Sequence, residues 1–83
     1  MTEKRKTVAL CLLVMNERRG CEHDVPLIKR EAFDEIFAVD GNSTDGTVEY
    51  LETAGIPVHQ QPEKGYSAGC RHGFRMCKSD ALV

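Results

Sequence analysis

No Gly-x-Gly-x-x-Gly follows the first apolar run of this 83-residue chain, which disfavours a dinucleotide-binding oxidoreductase. Neither Ser43 nor Ser67 sits in a nucleophile elbow, which disfavours a nucleophilic hydrolase. The four cysteines include no paired Cys-x-x-Cys. A zinc set could be drawn from Cys21-Glu22-His23 with Cys70, His72 and Cys77. Reduced structural thiols are the simpler reading, since Cys11 falls mid-strand where a small apolar residue belongs. The run from Val8 to Met15 is far too short to span a bilayer. It follows a basic leader, residues 1–6, and so imitates a secretory signal. No small-residue cleavage site follows it, because the chain runs straight into Asn16-Glu17-Arg18-Arg19. A cytoplasmic setting is expected. Charge of one sign is also scarce: 11 basic and 13 acidic residues leave a net charge of −2, giving no electrostatic reason to expect nucleic acid. Internal repeats and low-complexity tracts are missing, and His23, His59 and His72 are scattered without evident partners.

What is present is an ordinary soluble composition, 41% hydrophobic and 29% charged, in a length suited to one small domain or part of a larger one. The apolar pattern predicts a first strand over 8–15. Asp24 is expected to cap a short helix over 26–32, with Leu27, Ile28 and Ala32 on its apolar stripe. A second strand is expected over 35–39. A helix follows over 44–54, burying Val48, Leu51 and Ala54 and stopping at Gly55 before Pro57. A third short strand over 58–61 and a loop over 62–65 lead to a helix over 67–77, with Cys70, Phe74 and Cys77 on its apolar side. Ala81-Leu82-Val83 reads as the opening of a fourth strand. This alternation implies an α/β fold with a parallel sheet. A chain that stops as a strand opens would leave an unpaired edge, so a fragment of a longer protein is expected.

The organising stretch is the run from Phe37 to Thr47. Its apolar start suits a strand covered on both faces, and Asp40 falls at that strand's carboxyl end, where open α/β sheets bind ligands. Ser43 or Thr44 can cap the next helix, and a carboxylate beside a hydroxyl-rich helix start suits a nucleotide. An ordinary turn, with Asp, Asn, Ser and Gly bonded locally, accounts for the same residues. A calcium loop does not: Asp45 and Leu51 stand where Gly and a bidentate Glu are required.

Three pieces in order carry a resemblance: the apolar strand ending in Asn16-Glu17, the Val39-Asp40-Gly41-Asn42-Ser43-Thr44-Asp45-Gly46-Thr47 turn, and Lys64-Gly65-Tyr66-Ser67-Ala68 before a helix with Arg71 and Gly73. The chain resembles the N-terminal part of the family 2 nucleotide-sugar glycosyltransferases. The resemblance implies a GT-A fold, whose Rossmann-like half would be residues 1–83, and is nearest to members acting on polyprenyl or dolichyl phosphate. It implies that Glu17 lies beside base and ribose, that Asn16 holds the end of the first strand, and that Asp40 accepts a base ring N–H. Lys64 would sit near base or ribose, and Arg71 near the nucleotide or its phosphates. Gly41, Ser43, Asp45 and Gly46 would shape the turn, with Thr44.

The resemblance further implies transfer of sugar from a UDP- or GDP-sugar with inversion, to a lipid phosphate or glycan acceptor. Mg2+ or Mn2+ would be held by an Asp-x-Asp motif in the full-length parent. That motif and the catalytic base would both lie beyond Val83, so no metal ligand or catalytic residue is expected within this chain. Val14 and Met15 stand where many members have Pro and an aromatic residue. A free-standing nucleotide-binding module and an inactive structural remnant are the alternatives.

Overall fold

The computed structural model describes residues 6–83; apart from Lys6, the basic leader lies outside them. Four strands, β1 (Val8–Val14), β2 (Glu35–Asp40), β3 (Val58–Gln60) and β4 (Ala81–Leu82), form one sheet in the order β3-β2-β1-β4. Every pairing is parallel, with Leu12 beside Ala38, Val39 beside His59 and Ala9 beside Leu82. Three helices connect them: α1 (Arg18–Asp24), α2 (Thr47–Thr53) and α3 (Tyr66–Met76). The chain builds outward from β1 to β3 and then returns through α3 to the other side of β1. That reversal is the kind of switch point where α/β sheets open a crevice beyond their carboxyl ends.

The strands alternate their side chains between two apolar layers, as a two-residue period requires. Leu12, Val14, Ile36 and Ala38 meet Cys21, Val25, Leu51 and Ile56 in one layer. Ala9, Cys11, Leu13, Phe37 and Val39 meet Met76, Cys77 and Leu82 in the other. Coverage on both faces explains why Phe37, Ala38, Val39 and Asp40 are all buried. The stop of α2 falls at Gly55 as expected. The Ile56 N–H reaches the Leu51 carbonyl and the Gly55 N–H reaches that of Glu52, a Schellman closure that buries Ile56 against Leu51.

The first connection departs from expectation. Its helix is Arg18–Asp24, and residues 26–32 hold only short 3-10 turns, Val25–Leu27 and Arg30–Ala32. Asp24 makes no capping hydrogen bond, and Leu27 is 69% exposed. Cys21, Val25 and Ile28 form the buried stripe instead. Arg30 then donates to the Ala54 carbonyl at 2.7 Å, tying this connection to the end of α2.

α3 also turns a different face inward. Ala68, Gly69 and Gly73 are buried, whereas Phe74 is 68% exposed. Small residues let the helix backbone approach the sheet: a Cβ on Gly73 would lie 3.0 Å from Cys11 Sγ. Phe74, about 100° further round the helix, cannot enter that contact. All four cysteines are free thiols. Burial, then the neighbouring Cys70 and Cys77, pushes the Cys11 thiol up to about 11, which fits a packing role. Among the described residues, no helix is long and apolar enough to cross a membrane.

Candidate functional site

Three loops converge at the carboxyl edge of the sheet, and the first two are bonded together. Asp40, the last residue of β2, is fully buried. Its Oδ2 accepts the Ser43 N–H at 2.9 Å and its Oδ1 accepts the Ser43 hydroxyl at 2.5 Å. Asn16, in the left-handed region at φ 51°, donates its N–H to Ser43 Oγ at 2.8 Å and accepts the Thr44 N–H on Oδ1 at 2.8 Å. The Glu17 N–H is taken by Thr47 Oγ1 at 3.0 Å. Asp45 accepts the Arg18 N–H at 3.1 Å on one oxygen. On the other it accepts both the N–H and the hydroxyl of Thr47. The Thr47 hydroxyl is the main reason the Asp45 carboxyl lies below its usual range.

These bonds correct the expected helix start. α2 begins at Thr47, after Gly46 at φ 91°, and neither Ser43 nor Thr44 caps it. Ser43 is engaged by Asp40 and Asn16, and the first N–H of the helix is already taken by Asp45. The first of the free N–H groups at this helix start is thus filled from within the turn.

The third loop is held by Gln61. Its N–H donates to the Asp40 carbonyl at 3.0 Å. Its side-chain Nε2 donates to the carbonyls of Glu63 at 2.6 Å and Gly65 at 3.0 Å. Between this loop and the two turns lies an open cleft of about 770 Å³. Leu13, Val14 and Met15 form one apolar wall; Gly41, Asn42 and Glu17 form the next; Gln61, Glu63, Lys64, Gly65, Tyr66 and Gly69 close the third side.

Of the residues singled out in the sequence, Glu17, Gly41 and Lys64 line this cleft. Asn16 and Asp45 instead border a smaller hollow with Glu17 and Arg18 beside α1. Asp40 is absent from the wall, and its carboxylate closes the turn. Arg71 lies on the exposed side of α3, with its guanidinium 3.6 Å from the Glu63 carboxylate. Gln61 and Glu63 were not singled out in the sequence, and Asn42 and Tyr66 stood in its motifs without a role. The rule that drew attention to Asp40 also covers Gln61, which lies just past the carboxyl end of β3.

Among the described residues, no group of three or more His, Cys, Asp or Glu side chains is placed to hold a metal ion. The divalent ion implied by the resemblance does not fit these residues.

Comparison with known proteins agrees with the fold. The chain superimposes on glucosyl-3-phosphoglycerate synthase from Mycobacterium tuberculosis in complex with Mg2+ and UDP with a TM-score of 0.79 at 20% identity, covering 94% of this chain and 32% of that one. The same enzyme with Mn2+, UDP-glucose and phosphoglyceric acid gives a TM-score of 0.76 at 19% identity, covering 93% and 31%. An uncharacterized glycosyltransferase of Rickettsia bellii (strain RML369-C) is 31% identical over 78 residues, 94% of this chain and 26% of the relative. The chain thus spans about a quarter of that curated relative and about a third of the solved structures. Residues 26–83 match the profile of Glycosyl transferase family 2. The chain belongs to that family.

Proposed function

We propose that this chain is the nucleotide-binding part of a single catalytic domain that transfers sugar from a UDP- or GDP-sugar. The observation that carries this reading is the cleft at the carboxyl edge of a wholly parallel sheet, with one apolar wall facing polar groups on its other sides. A planar base fits beside Leu13, Val14 and Met15, and Glu17 supplies a carboxylate for ribose hydroxyls. Lys64, exposed on the loop that lines the cleft, supplies donors beside the base or ribose. Arg71 reaches the site through Glu63, which both pairs with it and lines the cleft.

In the parent enzyme an acceptor oxygen attacks the anomeric carbon as its bond to the diphosphate breaks, inverting the configuration. The acceptor is a lipid phosphate such as polyprenyl phosphate, whose oxygen is already anionic, or a glycan hydroxyl, whose proton passes to a carboxylate base outside these residues. A divalent ion, Mg2+ or Mn2+, would be held by groups outside these residues and would supply positive charge for the diphosphate. What these residues do is hold and orient the nucleotide, so the 83-residue chain by itself binds without transferring. We place the enzyme in the cytoplasm or at the cytoplasmic membrane face, where free thiols stay reduced.

Calorimetric titration of the chain with UDP and GDP tests the reading. Saturable binding of one of them, weakened about two- to fivefold by Lys64→Ala, is expected. Failure of both to bind at millimolar concentration would overturn it, and detectable sugar transfer by the chain alone would overturn the division of labour.

A further inference from the structure

Gln61 holds its amide in one orientation. Both Nε2 hydrogens are spent inside the loop, on the carbonyls of Glu63 and Gly65, and this fixes which end of the amide is oxygen. No hydrogen bond reaches Oε1 among the described residues. The oxygen is aimed between two glycines that face the cleft. A Cβ on Gly69 would lie 2.8 Å from it and a Cβ on Gly41 would lie 3.6 Å away. The same two positions abut Leu13 and Met15, at 3.6 Å each. An acceptor that cannot turn into a donor thus stands at a slot beside Leu13 and Met15, where two glycines contribute no side chain.

We infer that Gln61 is a specificity-determining residue, whose Oε1 accepts a hydrogen bond from a ring N–H of the nucleotide base. This rests on the nucleotide-binding reading above. Within that reading, the slot takes the planar base and the oxygen takes a donor on its edge. Uracil and guanine carry a ring N–H on that edge; cytosine and adenine carry a bare ring nitrogen there, which would face the oxygen lone pair to lone pair. Asp40 cannot serve this purpose, because it is fully buried and both its oxygens are bonded to Ser43. The carboxamide also stands at the bottom of the loop that carries Lys64, so one side chain sets the loop and reads the base.

The test compares affinities of the full chain for UDP against N3-methyl-UDP and for GDP against N1-methyl-GDP, since methylation deletes the donor. For whichever parent nucleotide binds, methylation should weaken binding by at least about tenfold. In Gln61→Ala, which removes both the acceptor and its bulk, the methylation penalty should fall below about twofold. This ratio is insensitive to a general loosening of the loop, which weakens both ligands alike. Equal binding of parent and methylated nucleotide to the unmodified chain overturns the assignment without any variant. A penalty that persists in Gln61→Ala overturns it as well. Both outcomes leave the nucleotide-binding reading intact. Binding of neither UDP nor GDP removes both proposals together.

Discussion

The turn after β2 and the loop after β3 are built on opposite plans, although both stand at the same edge of the sheet. In the 40–47 turn the polar side chains face one another. Asp40 binds Ser43, Asn16 binds Thr44, and Asp45 binds Thr47 and the Arg18 backbone. In the 61–66 loop one side chain, Gln61, ties the backbone, and Glu63, Lys64 and Tyr66 are exposed. The turn is a brace with little left to offer a ligand, whereas the loop is a thinly held surface with its charges outward. The stretch with the strongest sequence signature is therefore mainly architectural, and the weaker signature supplies most of one cleft wall.

The comparison breaks most cleanly at Asp40. Asp40→Ala leaves the half-buried Ser43 N–H and hydroxyl without their acceptor and should cost about 1–3 kcal/mol in urea unfolding. Lys64→Ala should change stability by less than about 0.5 kcal/mol while weakening nucleotide. If Asp40→Ala unfolds at the same urea concentration as the parent yet loses the nucleotide, the two regions have exchanged roles.

Asn16 tests the same brace from the β1 side. Asn16→Ala removes the acceptor for the Thr44 N–H and puts a residue ill-suited to φ 51° in its place. A loss of about 1–2 kcal/mol is expected, with retention of any nucleotide affinity once folded protein is selected. In contrast, Gly69→Ala puts a methyl 2.8 Å from Gln61 Oε1. The carboxamide must shift, while the helix gains about 0.8–1 kcal/mol of propensity. Stability should change by less than about 1 kcal/mol, and affinity for UDP or GDP should fall, a separation that titration and urea unfolding of one variant would show.

The parallel sheet was legible because its strands are short apolar runs punctuated by helix stops such as Gly55-Ile56-Pro57. α1 was not, because Gly20 and five charged or potentially charged neighbours mask a stripe of only Cys21, Val25 and Ile28. Their spacing of four and three is helical, but it continues past the helix into the 3-10 turn at Val25–Leu27. Phe74 misled for the opposite reason: its hydrophobicity suggests burial, whereas the close approach of α3 to Cys11 requires glycine. At the site, the position of Asp40 at the strand end was readable, but its commitment to Ser43 was not. A carboxylate near a cleft and a carboxylate sealed under it differ by the rotation of one side chain, which spacing does not encode.

The smallest effect expected is one of pH, and it separates the two regions by titration alone. The Thr47 hydroxyl and the backbone N–H groups of Thr47 and Arg18 favour the charged form of Asp45, so its folded pKa lies below the ordinary 3.8. Protons therefore bind the unfolded chain more readily than the folded one. The stabilisation is fully present above the ordinary value and is lost as pH falls through the lower folded value. Thr47→Val deletes the hydroxyl and should bring the Asp45 pKa back toward 3.8. It also removes the acceptor for the Glu17 N–H, a cost that does not titrate. Unfolding of parent and variant should accordingly differ more at about pH 6 than at about pH 2.5, with a residual difference from the Glu17 contact at both. A gap that stays constant across that range would mean that the Asp45–Thr47 bond does not favour the carboxylate. The same pair of pH values applied to Lys64→Ala should show no such change, since that substitution leaves the Asp45–Thr47 bond in place. A pH-dependent gap there would show the 61–66 loop to be braced by charge as well as by Gln61.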